Sequence, residues 1–168
     1  PSGWHKDVSI VNNYIHDIRY DVTLLHPAIY FSGPVLDNLT IQGNRFVDTG
    51  GIAYYSGTAD ARFNYWGAVE VTQKMVKHNW SLESAVILFS PWCTNAECTE
   101  FGPAPDTVYV DDDWVDAELL AEVVEGHFFG YDAFATIQEA IDAAAVNATI
   151  YVAAGTYSDS GGTRVNKT

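Results

Sequence analysis

Short runs of alternating apolar and polar residues recur in the first half of the chain, each closed by an asparagine and then a large apolar residue. Val8-Ser-Ile10 leads to Asn13-Tyr-Ile15, Leu39-Thr-Ile41 to Asn44-Arg-Phe46, and Ala59-Asp-Ala61 to Asn64-Tyr-Trp66. Alternation with period two marks a strand that buries one face, and its return after some twenty residues marks a stacked coil. Asn44 and Asn64 are 20 residues apart and Asn13 and Asn44 are 31 apart. An insertion of about ten residues is therefore expected in the first interval, around Tyr20 to Pro27. The asparagines Asn13, Asn44 and Asn64 are expected to form a ladder. An asparagine tolerates the left-handed region at a sharp corner, and its amide reaches backbone groups of the next coil that burial would otherwise orphan. Ile15, Phe46 and Trp66 then point inward as an apolar column.

The periodicity changes near the other end. Phe134, Ile137, Ala140, Ile141 and Ala144 recur at helical spacing, with Gln138, Glu139 and Asp142 on the other face. Thr136 and Glu139 form an S/T-x-x-E capping box. This predicts a short helix over about 134–145, ended by Asn147 in the left-handed region. Strands are expected at 149–153 and, after the Gly155 turn, near Thr163 to Asn166. Between the two patterns, Val71, Met75 and Val76 predict a short helix or an extruded loop within Val69 to Ser84.

Asn64-Tyr-Trp-Gly67 followed by Leu88-Phe-Ser-Pro-Trp92 resembles the closing coils of right-handed parallel β-helices of the pectate-lyase-like superfamily. Thr107-Val-Tyr-Val-Asp-Asp-Asp113, the 134–145 helix, Thr149-Ile-Tyr-Val152 and Ala154-Gly-Thr-Tyr157 resemble that superfamily's opening segment. The resemblance implies an all-β fold, a right-handed parallel β-helix (solenoid) with one short capping α-helix. It also implies an unusual order: the C-terminal coils of one solenoid at 1–95, a linker at 96–106, and the capped first coils of another at 107–168. The chain would then be cut from a larger protein. Lyases of the superfamily use a Lys or Arg base beside calcium-binding carboxylates on one parallel face, and no spacing here reproduces such a site.

Charge supports a change of character between the two parts. The 168 residues carry a net charge of -14. Residues 1–96 hold eight acids against six Lys/Arg, a net of -2, whereas 97–168 hold fourteen against two, a net of -12. So acidic a surface argues against a nucleic-acid partner and against anionic membranes. No apolar stretch approaches the ~18–20 residues of a membrane span. Cys93 and Cys98 are spaced C-x4-C without the further soft ligands of a metal site, which favours a local disulfide over two unpaired thiols. A disulfide suits an extracellular or cell-surface location. Asn38, Asn79, Asn147 and Asn166 head N-glycosylation tripeptides.

The candidate chemistry is sparse. Asp111, Asp112, Asp113 and Asp116 are the best metal candidates, and hard carboxylates suit Ca²⁺, although an EF-hand spacing is missing. Tyr20, His26 and Tyr30 would shape a sugar-binding groove, with core packing as the plain alternative. His16-Asp17 with Arg19 reads as a solvated turn rather than a general base and its orienter. The five tryptophans are expected to cap apolar ends rather than to bind ligands.

The resulting expectation is an extracellular or cell-surface structural or adhesive β-helix repeat module. It would stack head to tail on copies of itself, or on the rest of a larger repeat protein. The alternatives are a fragment of a polysaccharide-active enzyme (a lyase, glycosidase or epimerase) or a carbohydrate-binding β-helix. No catalytic residue is assigned.

Overall fold

The alternating runs do form strands, and the strands pair in parallel. The computed structural model describes residues 6–18, 26–31 and 37–157. The described residues are mostly strand, with two short α-helices. Two compact units divide the chain, Pro1–Pro103 and Ala104–Thr168.

The first unit contains β1 (Lys6–Val11), β2 (Tyr14–His16), β3 (Ile29–Phe31), β4 (Asp37–Gln42), β5 (Arg45–Val47), β6 (Ile52–Tyr54), β7 (Gly57–Asp60), α1 (Gln73–Val76), β8 (Ala85–Leu88), β9 (Trp92–Cys93) and β10 (Phe101–Gly102). One sheet runs β1-β4-β7-β8, parallel throughout, with Val8 opposite Leu39, Leu39 opposite Ala59 and Ala59 opposite Ile87. A second parallel ladder pairs β2 with β5 and continues through single bridges from Arg45 to Tyr65 and from Tyr65 to Cys93. A third pairs β3 with β6 and continues from Ile52 to Lys77. The core of this unit gathers Leu39, Ile41, Phe46, Ile52, Tyr54, Ala59, Trp66, Val76 and Ile87. Parallel strands require crossovers rather than hairpins. The chain meets that need by giving β1, β2 and β3, and then β4, β5 and β6, to the three ladders in turn.

The asparagine ladder is present, with one correction to the expected backbone. The left-handed residue is the one before each asparagine: Asn12, Gly43 and Phe63 have φ of 57°, 64° and 55°. The turn is thus made one position early, which aims the asparagine side chain along the stack. Asn44 Oδ1 accepts from Asn13 N at 2.9 Å, and Asn64 Oδ1 accepts from Asn44 N at 2.8 Å. Asn64 Nδ2 donates to the carbonyls of Ile41 and Ala61. Asn44 and Asn64 are fully buried. Behind them the Phe46 and Trp66 rings stack with centroids 4.5 Å apart and planes 14° apart, and the half-buried Ile15 packs against the same core.

In the 69–84 stretch, α1 covers one turn only, burying Val76. Beyond β8, β9 pairs antiparallel with β10, and the Cys93–Cys98 disulfide closes the connection between them. Residues 101–102 are therefore sheet rather than plain linker.

The second unit contains β11 (Thr107–Val110), a 3-10 turn at Asp112–Trp114, β12 (Glu122–Val124), β13 (His127–Phe128), β14 (Ala133–Phe134), α2 (Ile137–Ala143) and β15 (Thr149–Val152). β11 is central, flanked in parallel by β14 and β15. The helix is shorter than its apolar pattern because Phe134 belongs to β14. It starts where the capping box requires: Glu139 N donates to Thr136 Oγ1 at 3.2 Å, and the Thr136 hydroxyl donates to Glu139 Oε2 at 2.7 Å. Ala140 and Ala144 pack against Val108, Val110 and Phe134, while Gln138 donates to Asp142 at 2.8 Å on the outer face. The helix ends at Ala144 in extended backbone, and Asn147, with φ of 68°, makes the later turn into β15. The strand expected near Thr163 to Asn166 lies outside the described residues.

Candidate functional site

The outward faces of the ladders hold the polar and aromatic side chains, since alternate residues of each strand point away from the core. Of the expected sugar-binding residues, His26 and Tyr30 are brought together and Tyr20 lies outside the described residues. Their meeting point is Trp80, a residue expected only to cap an apolar end. The Trp80 ring lies 5.1 Å from His26, 5.0 Å from His78 and 6.0 Å from Tyr30, with interplanar angles of 78°, 84° and 77°. Trp80 is 49% exposed and Tyr30 53%. The backbone fixes this arrangement. Tyr30 sits opposite Ala53 in the third ladder. His78 N donates to Ile52 O at 2.9 Å, and Gly50 N donates to His26 O at 2.7 Å.

A second exposed cluster lies on the β2–β5 flank. The Arg45 guanidinium sits 4.7 Å over the Tyr14 ring and 6.0 Å from that of Tyr65. His16 stacks on Tyr14 at 4.3 Å and pairs with Asp17 at 2.7 Å. Those pairs are open to solvent, as a surface turn would be; Arg19 lies outside the described residues. On the neighbouring sheet Arg62 makes a two-pronged contact with Asp60, and Gln42 donates to the same carboxylate. Burial acts to raise the Asp60 pKa, but the Arg62 and Gln42 hydrogen bonds outweigh it and hold the carboxyl below its ordinary value.

Asp111, Asp112 and Asp113 offer carboxylate oxygens within 4.8 Å of one another, and Asp116, exposed, stands outside that trio. Two of the three already serve the backbone: Asp111 accepts from Asp113 N at 3.1 Å and Asp112 from Thr156 N at 3.0 Å. Asp111 thereby caps the 3-10 turn at 112–114, and the three carboxylates lie close enough together to hold a cation. Exposed Asn79 and Asn147 are accessible positions; nothing is described for the Asn38 side chain, and Asn166 lies outside the described residues.

One pair has no counterpart among the sequence-derived candidates. His127 Nδ1 lies 2.8 Å from Asp132 Oδ2, and Phe128 N donates to Asp132 Oδ1 at 2.7 Å. Asp132 is buried, and the Tyr109 ring lies 4.1 Å from the imidazole. The five-residue spacing follows no helix or strand period, and the turn between β13 and β14, in which Tyr131 N and Asp132 N donate to Phe128 O, brings the two residues together. The pair ties β13 to the turn before β14, and the Tyr109 ring of β11 packs beside it. Burial, with Asp132 and Asp106 nearby, pushes the neighbouring Tyr131 phenol up to about 12.

An open cleft of about 410 Å³ is lined by Phe46, Asp48, Trp66, Gly67, Lys74 and Met75, among others. The Trp66 indole N–H is buried without a partner, but it is sealed from the cleft as well as from solvent. No helix of the described residues is long and apolar enough to cross a membrane. Comparison with protein-family models, with curated proteins and with solved structures finds no match for this chain.

Proposed function

We propose that the chain supplies stacked coils of right-handed parallel β-helices to an extracellular or cell-surface structural and adhesive protein, and that copies extend the stack head to tail. The observation that carries this reading is a rung at one edge of each unit that is only partly covered and, among the described residues, has no strand beyond it. In β11 the inward residues Val108 and Val110 are 0% and 1% exposed. Their partners one rung along are Ile150 and Val152; Ile150 is half-buried and Val152 is 45% exposed. In the first unit Leu39 and Ile41 are likewise buried, while Val8 and Ile10 of β1 are only half-covered. Among the described strands, β1 pairs only with β4 and β15 only with β11. An apolar column ending beside a strand edge that no described strand pairs favours one more parallel strand. In this reading β15 of one copy receives β1 of the next. The disulfide suits an oxidising setting.

Sedimentation velocity over a range of concentrations, with negative-stain electron microscopy, tests the assembly. Elongated oligomers that shorten or vanish with Val152→Glu are expected. A monomer at every concentration would refute head-to-tail stacking.

A further inference from the structure

We propose that the second unit is a salt-gated fold: ions of the medium, rather than side chains of the unit, balance its surface charge, and ionic strength sets its stability. The charge inventory carries the argument. Residues 104–157 contain eleven acids and no lysine or arginine. Arg164 and Lys167 follow, yet 97–168 as a whole still carry a net of -12, against -2 for 1–96. The one histidine of the unit is engaged by an interior acid. His127 pairs with Asp132 at 2.8 Å, and Asp132 is buried, so the imidazole offsets no surface carboxylate.

Neutral groups satisfy several of the other acids. Asp111 and Asp112 accept from the Asp113 and Thr156 amides, and Glu122 from the Gly126 amide. Glu139 accepts from the Thr136 hydroxyl and Asp142 from the Gln138 side chain. Such bonds fill the lone pairs of a carboxylate and leave its formal charge in place. Asp111, Asp112 and Asp113 gather their oxygens within 4.8 Å of one another, and Asp116, Glu118 and Glu125 stand exposed.

Distance decides how much this repulsion matters. A unit of the length of Ala104–Thr168 has a radius of gyration of about 11 Å. The screening length is about 30 Å at 0.01 M salt, so every carboxylate on the unit repels every other. At 0.15 M it is about 8 Å, and only near neighbours still do. Unfolding separates the charges, which makes their repulsion a direct cost of the compact state. Residues 1–96, with a net of -2, largely escape it.

The test is urea unfolding of the full chain, followed by NMR, in NaCl raised from about 0.01 M to about 0.15 M. Native amide cross-peaks of Val108 and Val110 report the second unit and those of Leu39 and Ile41 the first, since all four residues are buried. The second unit's midpoint is expected to rise by about 1 M urea, and the first unit's by much less. Replacing three exposed acids together, Asp116→Asn, Glu118→Gln and Glu125→Gln, is expected to raise the second midpoint at low salt and to flatten its response to NaCl. Glu70→Gln with Glu83→Gln, exposed acids of the first unit, is expected to do neither. If the triple variant alters the circular dichroism, Glu118→Gln alone takes its place, with a smaller shift in the same direction. Sucrose, which acts by exclusion from the surface and not by screening, is expected to raise both midpoints alike. A second midpoint indifferent to NaCl, or an equal rise in both units, would overturn the proposal. So would a rise with millimolar CaCl2 at constant ionic strength but none with NaCl, which would give the acids to a specific cation site instead.

Discussion

Replacing Asn64 by alanine should be among the most damaging single changes available in the first unit. Its side chain is fully buried and joins two successive corners of the ladder. Oδ1 accepts from Asn44 N at 2.8 Å and Asn44 Nδ2 at 3.1 Å, while Nδ2 donates to Ile41 O and Ala61 O. Truncation strands the Asn44 N–H and removes a donor from two carbonyls. Each buried polar group left unpaired costs about 1–3 kcal/mol, so the three together cost about 3–9 kcal/mol. That is a large share of a stability of about 5–15 kcal/mol. Asn13, at the corner before Asn44, carries the same residue type in an exposed place, and its amide donates to Val11 O and Asn44 Oδ1. Water can replace what Asn13→Ala removes, so that variant should lose only about 1 kcal/mol. Urea unfolding followed by far-ultraviolet circular dichroism reads both values as midpoint shifts at constant slope. Equal losses at the two positions, or an Asn64→Ala loss below about 1 kcal/mol, would show that the ladder does not bind one corner to the next.

Reducing Cys93–Cys98, or replacing both residues by serine, should cost about 2 kcal/mol, the value for so short a closed loop; a thermal melt with and without reductant measures it. Arg62→Gln should raise the Asp60 pKa, read from the carboxyl carbon by NMR. Because the folded value lies below the ordinary 3.8, the pair's stabilisation is complete above that value and is lost as pH falls through the folded one. Tyr131→Phe should delete the last step of an ultraviolet tyrosine titration, near 12. Its folded value lies above the ordinary 10.0, so the matching stability is present below pH 10 and fades as pH rises toward 12. Thr136→Ala should lower stability by about 1 kcal/mol through loss of the helix cap, measured by urea midpoint.

Much of the backbone is legible in the sequence because its signals are local. The alternating runs form β1, β4 and β7, the apolar-periodic stretch forms α2, and Thr136 caps it as its spacing requires. The asparagines meet because a 20-residue repeat returns the same corner to the same place. The left-handed residue falls one position before the expected one; Asn12 and Gly43 tolerate that region as readily as the asparagines after them, and sequence alone does not rank them. Phe63 makes the turn despite its bulk, because the ladder needs the Asn64 side chain inward. The sites are less legible. Trp80 meets His26 and Tyr30 only because distant strands and the 77–81 turn converge, a relation about fifty residues long that no local period announces. His127 and Asp132 are hidden because the turn between β13 and β14, not a period, joins them. The Asp111–Asp113 cluster is visible as charge, yet the Asp112 hydrogen bond depends on Thr156 returning from a distant turn.

The parallel register of the strands is the claim on which the rest stands, and cross-strand nuclear Overhauser effects in an isotope-labelled sample test it directly. Contacts linking Val8 with Leu39, Leu39 with Ala59 and Ala59 with Ile87 are expected, without close Hα–Hα pairs across those strands. Strong Hα–Hα cross-peaks between β1 and β4 or between β4 and β7, the mark of antiparallel neighbours, would contradict it.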